Sequence, residues 1–256
     1  MSEAKTKRLY LGMPGYGSLS AGAARGFYKA TREPDAVLHY QEGSLLANNF
    51  NALWCGALNC DPAPDYFAMQ HADVEPEDYW LDSLIEEMEA HDLDVLGVAV
   101  PIKDHHGLTS IALHDNDGDD WKALCRLTMT EIFQLPETFT SEDTGHPVLL
   151  NTGLWVCRFN PEWATQVHFT INDRLVRDNK TGKYLAQVEP EDWWFSRNLH
   201  ALGLKIGCTR KIKLMHRGGQ VYPNTQPWGD AFDSQFVSKS QINSQAGAHA
   251  PIAMEV

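Results

Sequence analysis

An α/β fold built on a mainly parallel sheet is what this sequence predicts, and two observations carry the prediction. Continuous apolar runs at 65–69 (DYFAM) and 93–102 (LDVLGVAVPI) have the composition of strands buried on both faces of a parallel sheet. Around them lie stretches with helical spacing of apolar residues, so strand and helix alternate over the first hundred residues.

Residues 8–13 (RLYLGM) read as the first strand, followed by the glycine-rich turn PGYGS. The segment 19–30 reads as a helix whose small residues allow close packing. Residues 36–40 (AVLHY) form a second short strand, and Gly43-Ser44 offers a cap for a helix running through Leu58. Leu46, Phe50, Leu53 and Ala57 share one face of that helix. The run at 65–69 is the third strand. Over 77–91, Trp80, Leu81, Leu84, Ile85 and Met88 recur at helical spacing, with Asp82, Glu86, Glu87 and Glu89 opposite. The run at 93–102 is the fourth strand.

The second half is less regular. A polar loop at 114–120 (HDNDGDD) precedes expected strands near 124–129 and 148–159. That loop is not an EF-hand, because its glycine comes too early and no glutamate stands at the twelfth position. A charged hairpin near 172–187 turns at Asn179-Lys180-Thr181-Gly182. A helix from about 191 to 202 ends at Gly203, a good left-handed cap, and the short strand LKIG and the sequence MHRGG follow. Residues 234–256, rich in Ser, Gln, Ala and Gly, read as a loose tail behind a single domain over 1–233.

Charge and cysteine usage narrow the function classes. A net charge of −13 argues against a protein that coats nucleic acid by bulk electrostatics. A local basic run, Lys205, Arg210, Lys211, Lys213 and Arg217, reads either as a patch for an anionic partner or as a solvated edge. No apolar run approaches the ~20 residues that span a bilayer, and the first residues lack the apolar core of a secretory signal. The five cysteines, odd in number and without a CxxC pair, read as reduced thiols of a cytoplasmic protein.

Several residues stand where chemistry collects, beyond the carboxyl ends of strands. Asp73, just past the third strand in YFAMQHADVEP, reads either as a cap for the next helix or as a catalytic or metal-binding carboxylate. Glu191 and Asp192 complement a helix dipole or act as a general base. Trp193 and Trp194 suit stacking on a ligand or packing of a helix. Lys103 closes the fourth strand, and the adjacent His105 and His106 read more naturally as surface residues than as ligands. Gly15-Tyr16-Gly17 is a poor nicotinamide fingerprint, since Ser20 stands where glycine or alanine is wanted and Asp35 precedes the second strand.

Together these motifs resemble a nucleotide-sugar-dependent glycosyltransferase of the GT-A fold (family 2-like), over most of 8–225. YFAMQHADVEP is similar to the phrase carrying that family's "DxD" motif. Glu191-Asp192-Trp193-Trp194-Phe195, followed by Ala201 to Ile206, resembles its "Glu-Asp" helix, and His216 in LMHRGG takes the place of its C-terminal histidine. The resemblance implies a nucleotide-binding half at 8–110 and an acceptor half at 111–233. It assigns Pro14, Tyr16, Gly17, Asn49, His71, Asp73, Asn151 and Gly153 to the donor, which is UDP-linked, and likens Asn51 to its helix asparagine. Trp193, Trp194 and Lys103 fall to the acceptor, and Asp192 or Glu191 is the base of an inverting reaction. It implies a divalent cation on Asp73 and His216, with His71 as a further ligand. An imidazole ligand favours Mn2+ over Mg2+. His71 departs from the pattern, standing where the family has its first aspartate. Pro101 to Asp104 and Gly107 to Ser110 are similar to viral members, some of which glycosylate hydroxymethylated pyrimidines in DNA. The alternative acceptors are a glycan, a protein or a small molecule, and the alternative to an enzyme is a binding protein with a degenerate site.

Overall fold

The computed structural model of the chain describes residues 6–114, 123–179 and 181–229. The expected polar loop beyond His114, Lys180 of the hairpin turn and the expected tail at 234–256 lie outside these residues. The chain opens with β1 (Leu9–Gly15), α1 (Ala21–Tyr28), β2 (Val37–Glu42), α2 (Leu46–Leu58) and β3 (Tyr66–Gln70). Then come β4 (Val74–Pro76), α3 (Trp80–Ala90) and β5 (Val95–Val98). The irregular part holds β6 (Leu108–His114), β7 (Ala123–Thr128), α4 (Met129–Ile132), β8 (Thr138–Thr140) and α5 (Ser141–Thr144). It continues with β9 (Val148–Leu149), β10 (Leu154–Arg158) and α6 (Pro161–Ala164). The last described elements are β11 (Asn172–Arg177), β12 (Tyr184–Glu189), α7 (Glu191–Ala201), β13 (Ile206–Thr209), β14 (Leu214–Arg217) and β15 (Val221–Pro223).

Seven strands form the central sheet in the order β2-β1-β3-β10-β5-β13-β8. β2, β1, β3, β5 and β13 share one direction, while β10 and β8 run against it. The mainly parallel sheet is thus present, with an antiparallel strand at its centre that the apolar pattern did not announce. Both faces are covered, which is why the strands read as unbroken apolar runs. Tyr10, Phe67, Met69, Val95 and Trp155 pack on one side with α2 and α7, around Phe50, Trp54 and Phe195. Their neighbours Leu9, Leu11, Tyr66, Ala68 and Leu96 pack on the other with α1 and α3, around Phe27, Trp80 and Leu84. That is the period of two that a strand imposes.

Local signals hold in part. Ser20 caps α1, its Oγ accepting from Ala23 N at 3.0 Å. The small residues of α1 serve close packing: a Cβ on Gly26 would lie 2.7 Å from Cδ of Pro76 in β4. Ser44 does not cap α2, which starts from Leu45 with no side-chain cap. The fourth strand is shorter than its apolar run, ending at Val98, and the buried Ala99 and Val100 already belong to irregular chain. Likewise the expected strand over 148–159 is interrupted by a loop between β9 and β10.

Three small sheets complete the fold, β15-β14-β4, β7-β6-β9 and the hairpin β11-β12. The first is stapled to the end of β5 by Asn224, which is almost fully buried. Its Oδ1 accepts from Leu214 N at 2.9 Å, and its Nδ2 donates to Ile212 O at 2.8 Å and Ala99 O at 3.2 Å. Asn224→Ala leaves buried backbone groups without partners. We expect it to cost about 2–3 kcal/mol, read from urea unfolding of wild type and variant.

Candidate functional site

The site forms where β3 runs out. Asp73 follows that strand directly and leads into β4, which pairs antiparallel with β14, so that His216 faces Val74. Arg217 N donates to the Asp73 carbonyl at 2.8 Å, extending the pairing to the carboxylate-bearing residue itself. Asp73 is therefore a strand-end group and not a helix cap. His216 is held by its Nδ1, which donates to Pro101 O at 2.7 Å, because a carbonyl can only accept. That bond points Nε2 at Asp73 Oδ1, 3.5 Å away. The other oxygen, Oδ2, accepts from the Lys103 ammonium. Lys103, expected on the acceptor side, is thus placed on the Asp73 side.

His71 stands beside this group. Its backbone N–H donates to Gly153 O at 2.9 Å, and its ring lies 5.1 Å from that of Phe50. Nε2 is buried without a hydrogen-bond partner. Burial pushes the imidazole down to about 4, against the pull of Asp73, and His216 and Lys103 press in the same direction as burial. The ring is neutral at pH 7. For Asp73 burial alone would raise the carboxyl, but His216, His71 and Lys103 together outweigh it and hold it well below the usual carboxylate range.

A histidine that donates one ring N–H to a backbone carbonyl and presents its other nitrogen to a carboxylate has the arrangement of a metal ligand. Among the described residues, however, no three or more His, Cys, Asp or Glu side chains are grouped to hold an ion. The expected third ligand, His71, does not complete such a group. Asp73 and His216 supply two ligands, and a hard divalent ion there would take the rest from water or phosphate oxygens.

The second acidic position lies at the start of α7. Asp192 is nearly fully buried, and its Oδ1 accepts from Trp193 N at 2.9 Å. Burial raises its carboxyl well above the ordinary value, and the neighbouring Glu191 charge adds to this against Arg126. Glu191 is raised by burial as well. Ser196 ties this turn to the loop after β9: its Oγ donates to Asp192 O at 2.6 Å and accepts from Leu150 N at 2.9 Å. In the same loop Asn151 Oδ1 accepts from Gly153 N at 2.8 Å. The loop 150–153 therefore touches His71 at one end and the Asp192 turn at the other.

The remaining expected residues divide. Pro14 is buried at the end of β1, whereas Tyr16 is 76% exposed and Gly17 has a φ of +83°, so the loop after β1 is open to a ligand. Asn49 is a brace: its Nδ2 donates to Gly43 O at 2.8 Å and to Gly15 O at 3.3 Å, committing it to the scaffold. Asn51 is bound in both directions to the backbone of Phe169. Trp193 Nε1 donates to Ser110 O at 2.7 Å and its ring lies 5.1 Å from the Arg126 guanidinium, so it anchors α7 to β6. Trp194 is part-buried between His168 and Arg197, with its Nε1 unpartnered. Arg126, on β7, carried no signal in the sequence. The basic run is not a free patch. Lys205 pairs with Asp92, Arg210 with Glu137, Lys211 with Glu87 and Arg217 with Glu75.

The structure is similar to A197 from STIV, with a TM-score of 0.51 at 11% identity over 87% of this chain and 94% of that one. It is also similar to TarS residues 1–349 from S. aureus, with a TM-score of 0.42 at 10% identity over 80% and 58% of the two chains. No protein-family model and no curated protein matches the sequence. The fold is thus GT-A-like, and among the described residues no helix is long and apolar enough to cross a membrane.

Ser196 is fully buried at the junction of the two halves of the site. Ser196→Ala strands the Leu150 N–H, and we expect a loss of about 1–3 kcal/mol in denaturant unfolding.

Proposed function

We propose that the chain is a glycosyltransferase moving a sugar from a UDP-linked donor to an acceptor hydroxyl. The observation that carries the proposal is the carboxylate of Asp73 at the end of β3 with His216 Nε2 aimed at it, inside a GT-A-like fold. The donor diphosphate would lie against Asp73, His216 and Lys103, with the nucleoside toward the open loop at Tyr16 and Gly17. A divalent cation, Mn2+ in preference to Mg2+, would be held by Asp73 and His216 and would neutralise the charge growing on the diphosphate.

In an inverting displacement the acceptor oxygen attacks the anomeric carbon while the bond to the diphosphate breaks. The electron pair leaves with the nucleoside diphosphate. Asp192 takes the hydroxyl proton, with Glu191 as the neighbouring carboxylate. A base raised by burial is better matched to a hydroxyl near neutral pH than an ordinary carboxylate. The acceptor is a hydroxyl of hydroxymethylated DNA, of a glycan or protein, or of a small molecule. Hydroxymethylated DNA rests on the resemblance at 101–104 and 107–110 to viral members and on the basic run, of which four of five members are paired with acids.

A panel of nucleotide-sugars with Mn2+, offered glycans, small hydroxyl compounds and hydroxymethylcytosine DNA, tests the proposal through labelled-sugar transfer. Transfer to any hydroxyl acceptor supports it, and transfer to DNA alone selects the nucleic-acid acceptor. Nucleotide binding without turnover on any acceptor would instead favour a binding protein. Asp192→Asn should lower kcat by about 10²–10⁴-fold with the fold intact. Because the base must be ionised, raising its pKa moves the acid limb of the rate profile upward. Activity should therefore fall with decreasing pH well above the ~4 at which an ordinary carboxylate is protonated. An acid limb near 4 would remove Asp192 from that role.

A further inference from the structure

Lys103 does not stand on Asp73 by accident of a loose surface. The short chain 101–103 holds both partners of the carboxylate, since Pro101 O fixes His216 and Lys103 follows two residues later. The lysine stem has a place cut for it: a Cβ on Gly218 would lie 3.0 Å from Lys103 Cδ and 3.2 Å from Cγ. Lys103 and Asp73 side chains are each 38% exposed, so the pair sits at the mouth of the site, where the ammonium can leave without unfolding anything. His216, at 15%, is the fixed partner.

We infer that Lys103 is a counter-ion that holds Asp73 Oδ2 when no donor is bound and turns to the donor diphosphate when a divalent cation binds at Asp73 and His216. This rests on the glycosyltransferase reading above. An ammonium and a dication on the same carboxylate repel one another, so Lys103 weakens cation binding when the donor is absent. When the diphosphate arrives it supplies new negative charge, and both cations gain a partner. Lys103 would thereby couple cation binding to donor binding, keeping the site charge-balanced until both are present. Its role is to position and neutralise the leaving group through its charge, and a purely structural lysine would not alter cation affinity in this direction.

Calorimetric titration with MnCl2 alone, UDP alone and MnCl2 in saturating UDP tests this on wild type, Lys103→Met, Gly218→Ala and Asp73→Asn, with thermal unfolding confirming that each is folded. Lys103→Met should bind Mn2+ alone about tenfold more tightly and UDP alone about tenfold more weakly. Gly218→Ala keeps the charge but crowds the stem, and should move both constants in the same senses by smaller factors. If neither variant tightens Mn2+ binding while Asp73→Asn loses it, Lys103 is not the counter-ion and the glycosyltransferase reading stands. If wild type and Asp73→Asn bind Mn2+ with UDP equally, the cation site itself fails and the inference goes with it.

Discussion

Pairing of β4 with β14 brings the chemistry of this protein into one place. Asp73 and His216 lie far apart along the chain, yet three short residues of β4 align with three of β14, and the Arg217 N–H closes the ladder on the Asp73 carbonyl. Every later step depends on that register. A slip of one residue would turn His216 to the opposite face and leave the carboxylate without its imidazole. The sheet is too small to hold itself, so it borrows stability from its surroundings. Asn224 ties it to the end of β5, and Arg217 pairs with Glu75, whose other bond comes from the Ser20 hydroxyl at the start of α1.

Two carboxylates whose surroundings one loop connects are driven in opposite directions. Asp73 is surrounded by cationic or hydrogen-bonding groups, and these overcome its burial. Asp192 is buried with a second acid beside it, and desolvation outweighs the backbone N–H groups on its carboxyl. Environments that split two like groups in this way suit them to the separate tasks of the proposed reaction, an anion for charge neutralisation and a base for proton removal. The loop 150–153 joins them, bonding to His71 on one side and through Ser196 to Asp192 on the other, so their separation is fixed by backbone and not by flexible side chains.

Periodicity revealed the elements that bury one face or two: the amphipathic α3, the continuous run of β3, and α7 with Gly203 behind it. The antiparallel insertion of β10 between β3 and β5 was not legible, since strand direction leaves no mark on an apolar run. Nor was the small sheet around Asp73. Its strands are three or four residues long, too short for a period, and their partner is distant in sequence. Of the candidate site, residue type and order point to Asp73, His216 and the acidic pair at α7, and the structure brings Asp73 and His216 together. Asn49 misled because a buried amide serves a scaffold as readily as a ligand, and Lys103 because a strand-end lysine gives no hint of which way it turns.

The departure at His71 follows from the same electrostatics. A second carboxylate at that position would be buried beside Asp73, and two like charges there would raise one another's pKa or demand a cation at all times. A neutral imidazole against Phe50 removes that demand. With His71 uncharged at pH 7, one anion, Asp73, faces one ammonium, Lys103. Burial, with His216 and Lys103 acting in the same direction, is why the His71 Nε2 stands unbonded beside a carboxylate without drawing a proton.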